Sequence, residues 1–143
     1  MSVRLSTFIA MRLPRVTHNA LVVRRSKKGG TWIGKSAALV AAEDSYLSHM
    51  THEARPSTPL GNDGTPLAVS LVWSYLSGGV RRDGEPKATK PDLDNMAKTV
   101  LDCMTRAGII ADDALVCDLS LAKVYGPVEG LHVEVTEIET NER

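Results

Sequence analysis

A chain of 143 residues, 43% hydrophobic and 24% charged, has the size and composition of one soluble globular domain with a core of its own. No apolar run approaches the roughly 18–20 residues of a membrane span, and two cysteines, Cys103 and Cys117, are too few for a disulfide framework. Seventeen basic and seventeen acidic residues cancel, which excludes a uniformly basic nucleic-acid binder but not a chain whose charge is divided along its length.

The charge is so divided. Residues 1–35 hold eight basic residues (Arg4, Arg12, Arg15, Arg24, Arg25, Lys27, Lys28, Lys35) and no acid, whereas residues 91–143 hold eleven acids against four bases. The basic half can pair with a phosphate backbone. The plainer alternative is a solvated basic hairpin.

In chain order, Val3, Leu5, Thr7, Ile9 and Met11 alternate with Arg4, Ser6, Phe8, Ala10 and Arg12, which predicts a strand ended by Pro14. Leu21-Val22-Val23 and Thr31-Trp32-Ile33 form a hairpin around Lys27-Lys28-Gly29-Gly30. Residues 36–50 read as a helix capped by Ser36, with Leu39, Ala42, Tyr46, Leu47 and Met50 inward. Prolines and glycines make 51–66 a loop. Leu67, Val69, Leu71, Trp73 and Tyr75 alternate as a strand. Ser77-Gly78-Gly79 then opens a mobile stretch carrying Arg81, Arg82, Lys87 and Lys90.

The second helix is the most regular segment. Leu93, Met96, Ala97, Val100, Leu101 and Met104 form one apolar stripe, Asp92 suits the N-cap and Gly108 the C′ position. Asp94, Lys98, Asp102 and Arg106 lie opposite, each four apart. Ile109-Ile110-Ala111 is expected to run back along the helix and deliver Asp112-Asp113 to the start of a strand over 115–124. Gly126-Pro127 turns the chain into a last strand containing Leu131, Val133 and Val135, and residues 139–143 are expected to fray. Cys103 flanks the apolar stripe and Cys117 alternates with Leu115 and Leu119, so both thiols are expected buried. The order β-β-β-α-β-α-β-β predicts an α+β, two-layer fold: a mixed sheet with two helices on one face, in a single domain over 1–143. The open face or a sheet edge then needs cover, and a homodimer supplies it most simply.

Chemistry concentrates between Asp92 and Asp113. Asp92, Asp94, Asp112 and Asp113 accompany the amide of Asn95 and the ammonium of Lys98. Gathered carboxylates repel unless a divalent cation lies among them, and a cation beside a lysine suits work on phosphate. Taken singly, each feature has an ordinary reading: a cap, an exposed i,i+4 pair, a turn. An EF-hand does not fit, because glycine and glutamate are missing at the required loop positions. The sequence has no Ser/His/Asp triad, phosphate-cradling glycine loop or zinc-ligand spacing.

Lys90-Pro91-Asp92-Leu93-Asp94-Asn95, Lys98, Leu101-Asp102, Ala107-Gly108-Ile109-Ile110 and Asp112-Asp113 together resemble the signature of RusA-like Holliday-junction resolvases. These are small, Mg²⁺-dependent, dimeric endonucleases often carried by phages and prophages. The resemblance is close over residues 90–124 and looser before them. Pro14 with Thr17-His18-Asn19 stands where the family has a proline-rich turn, its double proline reduced to one. The resemblance implies that Asp92, Asp94 and Asp113 bind metal and that Lys98 is essential. Asn95 and Asp112 match supporting positions. Asp102 also matches, but two helical turns place it ~12–15 Å from the cap, too far to share the ion.

The implied activity is structure-selective cutting of four-way junctions by paired nicks, in recombination and repair. Mg²⁺ is the implied cofactor, with Mn²⁺ able to substitute, and no organic cofactor is expected. The implied setting is a homodimer on branched DNA in the cytoplasm, that of a bacterial host for a phage protein, with no membrane. Arg24, Arg25, Lys27, Lys28, Arg81, Arg82, Lys87 and Lys90 would grip phosphates. The competing readings are a non-catalytic nucleic-acid-binding module and a toxin-type protein on the same fold.

Overall fold

The computed structural model describes residues 2–16 and 20–139; residues 17–19 of the expected polar turn and 140–143 of the expected fraying tail lie outside the described residues. The elements follow the expected order: β1 Ser2–Ala10, β2 Leu21–Arg25, β3 Thr31–Lys35, α1 Ala37–Glu53, β4 Leu67–Tyr75, α2 Leu93–Arg106, β5 Val116–Tyr125 and β6 Gly130–Glu137. A 3-10 turn, Asp113–Leu115, precedes β5. Four strands make a mixed sheet in the order β1-β6-β4-β5, with β4 antiparallel to β6 and parallel to β5. The hairpin β2–β3 stands apart as a sheet of its own.

Period-two alternation in β4 divides the sheet cleanly. Leu67, Val69, Leu71, Trp73 and Tyr75 are buried against the helices, joined by Leu131, Val133, Val135 and Ile9 from β6 and β1. From α1 come Tyr46 and Met50, and from α2 Met96, Ala97, Val100, Cys103 and Met104. Two polar contacts tie the layers. Trp73 Nε1 donates to the Tyr46 hydroxyl at 3.3 Å, and the Tyr75 hydroxyl donates to Met96 Sδ at 3.2 Å. Burial raises the Tyr46 hydroxyl above its ordinary range and lifts Tyr75 to about 12. The opposite face of the sheet, with Phe8, Ser70, Val72, Ser120, His132 and Glu134, carries neither helix.

Four local expectations change. Val3 falls out of the alternation of β1 and is exposed, because the β1–β6 register shifts between Val3 and Leu5. Cys117 is exposed, not buried: the ladder passes from Val116 to Asp118, so Cys117 bulges out of the alternation. Cys103 is buried as expected, and burial, aided by the Glu43 carboxylate, pushes its thiol up to about 12. The stretch after Ser77 is laid along the end of β5 through Gly84 N–H to Tyr125 O, Lys87 N–H to Lys123 O and Tyr125 N–H to Glu85 O. The inward stripe of α1 also contains an acid, Glu43, which is only 3% exposed. Its carboxylate takes Lys35 Nζ of β3 at 2.8 and 3.0 Å and faces Arg106 of α2 at 3.8 Å. Among the described residues, no helix is long and apolar enough to cross a membrane.

Candidate active site

The chain reaches α2 through an extended residue, Asp92 (φ −77°, ψ 137°), at the N-cap position. Its backbone carbonyl accepts from Met96 N–H at 3.1 Å and starts the helix. Its carboxylate makes no capping bond, contrary to the sequence reading; it meets Lys90 Nζ at 3.0 Å instead. Asp94 follows in the first turn and Lys98 one turn later, both exposed. On this face the observed i,i+4 ion pair is Asp102–Arg106 at 3.5 Å, and among the described residues Asp94 and Lys98 form no such pair with one another. Free N–H groups and the dipole make this helix end attractive to anions, whether carboxylates or phosphate. Asn95 is half-buried, and its carbonyl accepts from Thr99 Oγ1 at 3.3 Å.

The end of β5 supports this turn. Lys123 belongs to the helix-facing set of β5, opposite Trp73. Its ammonium donates to the carbonyls of Thr89 and Pro91, the latter at 2.7 Å. Both carbonyls lie within the three residues before Asp92, so one lysine holds the entry to the helix. Lys87 stands beside it, over the rings of Tyr75 and Tyr125 at 5.1 and 5.7 Å.

The structure does not bring Asp112 and Asp113 to this end of the fold. Asp112 caps the 3-10 turn, its Oδ1 accepting from Ala114 N–H at 2.9 Å, while Asp113 is exposed. Val116, three residues after Asp113, lies opposite Leu67 at the start of β4, whereas Lys123 lies opposite Trp73 near its end. The strand between Val116 and Lys123 spans roughly 23 Å. The connector does not run back along the helix as the sequence reading supposed. Ile109 and Ile110 are buried at the helix C-terminus, and backbone hydrogen bonds between Leu60 and both Ile109 and Ala111 tie the connector to the loop before β4. Apolar burial outweighed the pull of one charge cluster. Among the described residues, no three His, Cys, Asp or Glu side chains converge as metal ligands.

Of the eight basic residues expected to grip phosphates, Arg24, Arg25, Lys27, Lys28, Arg81, Arg82 and Lys90 are exposed and Lys87 is half-buried. Arg24 Nη2 donates to Lys35 O at 2.7 Å, Arg81 pairs with Glu85 at 3.6 Å, Lys87 donates to Thr89 Oγ1, and Lys90 is the partner of Asp92.

Comparison with known proteins decides the relationship. The family model "Endodeoxyribonuclease RusA" matches residues 14–136. The chain belongs to the RusA endodeoxyribonuclease family. A relative named "Crossover junction endodeoxyribonuclease rusA", from Lactococcus phage r1t, is 32% identical over 73 residues. That match covers 51% of this chain and 56% of the phage protein, so the chain spans little more than half the relative's length.

Within this RusA-family fold, two structural side chains escaped the sequence reading. Lys123 left a signal: it takes the inward parity shared by Leu119, Leu121 and Tyr125, where a lysine needs a reason. Glu43 left the same kind of signal inside the stripe of α1, between Leu39 and Tyr46.

Proposed function

We propose that this chain is a Mg²⁺-dependent, structure-selective DNA endonuclease that resolves four-way junctions by paired nicks as a homodimer. The observation that carries the reading is the outward-facing group of Asp92, Asp94 and Lys98 at the start of α2 in a RusA-family chain. The carboxylates of Asp92 and Asp94 offer hard oxygens, as Mg²⁺ requires, and an ion that keeps several waters and binds substrate phosphate needs only one or two carboxylates. Two therefore fit; among the described residues of one chain, three do not meet. When bound, a divalent cation supplies an acidified water and positive charge toward the phosphate under attack. Lys98, one turn along, adds a second positive charge facing the same side and neutralises the developing phosphorane. Lys123 keeps the turn that bears Asp92 in place. A purely structural metal site gains nothing from Lys98, which disfavours the toxin-type reading; a non-catalytic binding module is separated from the enzyme by nicking itself.

Asp113 enters this proposal through the family signature. Because its own chain keeps it at the other end of β5, the source for a third carboxylate is the second protomer of a two-fold dimer. The helix-free face of the sheet is available for that pairing, and two active sites related by a two-fold match the two scissile strands of a junction.

The test is nicking of a synthetic four-way junction with Mg²⁺, against linear duplex of the same sequence. Paired nicks at the branch support the reading, and equal cutting of both substrates contradicts it. Binding should also fall steeply with salt, by about 10³-fold or more between 50 and 200 mM if six or more phosphates are contacted. A flat salt profile in a binding titration would refute the basic grip.

A further inference from the structure

We propose that the β2–β3 hairpin is a base-stacking arm, in which Trp32 takes an unstacked DNA base at the branch while neighbouring cations hold the adjoining phosphates. The inference rests on the nuclease reading and adds the part of the junction that this surface recognises. A lone two-stranded hairpin is barely stable in water, so this one must be held at its base. Ser36 N–H donates to Ala20 O at 3.1 Å, and Lys35 is clamped by the buried Glu43 carboxylate. Beyond that anchor, every residue of β2 is exposed.

Trp32 is 53% exposed and pairs across the strands with Arg24, whose guanidinium stands 5.9 Å from the ring centroid. The indole lies over Gly34, where a Cβ would come within 2.3 Å of it, so glycine is what lets the ring lie along the strand. On the other face, Val23 and Ile33 are paired and 74% and 70% exposed. An aromatic platform flanked by Arg24, in a hairpin that also carries Arg25 on its other face and Lys27 and Lys28 in its turn and that holds no acid, fits a ligand that has both π faces and negative charge. A second copy of the hairpin would bring like charges together.

The chain has a built-in reporter. Its other tryptophan, Trp73, is fully buried, so an accessible indole signal belongs to Trp32. The full chain is titrated in Ca²⁺, which holds back cutting, with a four-way junction and with linear duplex. The expected results are quenching by the junction and not by the duplex, and an affinity for the junction lowered about tenfold or more in Trp32→Ala, with unchanged far-UV circular dichroism. Gly34→Ala, which displaces the ring without removing it, should lose the quench as well. Absence of quenching, or a Trp32→Ala protein that binds the junction as tightly as wild type, overturns the stacking role even where wild type nicks junctions normally. A change of oligomer mass in Trp32→Ala makes the hairpin a protein interface and overturns it too. A wild-type chain that neither binds nor nicks junctions overturns the nuclease reading and this inference together.

Discussion

Replacing Asp94 by Asn is expected to abolish junction nicking while leaving the fold and junction binding in place. The change removes one negative oxygen and alters shape very little. Asp94 is exposed and points away from the core, so the cost to stability is confined to the helix dipole, about 0.3–1 kcal/mol. The loss in rate is of a different order. A bound cation contributes several kcal/mol to the transition state, and each 1.36 kcal/mol is tenfold. A drop of about 10³-fold or more in single-turnover nicking is expected, with a melting temperature within a few degrees of wild type and an unchanged mobility shift on junction DNA. Near wild-type cutting would remove Asp94 from the reaction. The same variant also probes the dimer. Asp113→Asn alone should be inactive, yet subunit exchange between it and Asp94→Asn should restore nicking, because each heterodimer then carries one intact composite site and one doubly altered one. Two inactive proteins that stay inactive after exchange would deny Asp113 a role across the interface.

Lys123→Met should lower nicking at limiting Mn²⁺ by about 10–100-fold, the usual effect of removing a group that orients a metal ligand. Methionine keeps most of the apolar length of the side chain, so packing against α2 survives. What disappears is the ammonium that joins the carbonyls of Thr89 and Pro91 to the end of β5. The turn bearing Asp92 then loses its fixed position relative to Asp94. Because Lys123 acts through that turn, the defect should appear as weaker metal affinity: a higher Mn²⁺ concentration for half-maximal rate, with partial recovery at saturating Mn²⁺. An equal loss at all metal concentrations would point to direct contact with the phosphate instead. Lys123→Arg should recover part of the activity, since a guanidinium can still donate to both carbonyls.

The two acidic groups differ in how far they could be read. Asp92, Asp94 and Lys98 were legible because their relation is local: they share one helix, whose apolar stripe fixes which way the opposite face points. Asp113 depends on the path of the Ile109-Ile110-Ala111 connector, and that path is decided by what the two isoleucines bury against. They bury at the C-terminal end of α2, and the connector pairs with the loop at Leu60, a segment far away in sequence. Cys117 failed as a prediction for a related reason: a bulge breaks the alternation on which its burial had been argued.

By itself, the amino-acid sequence determined the elements, their order and the family, because periodicity, caps and a long spaced motif are properties of neighbouring residues. It also determined that basic and acidic residues are divided along the chain. Only the tertiary structure decided that β2–β3 leaves the main sheet, that Glu43 clamps it, that Lys123 steadies the turn before Asp92, and that Asp113 sits at the opposite end of β5. Each of these depends on contacts between residues distant in the chain, where the burial of apolar surface, not local preference, chooses the partner.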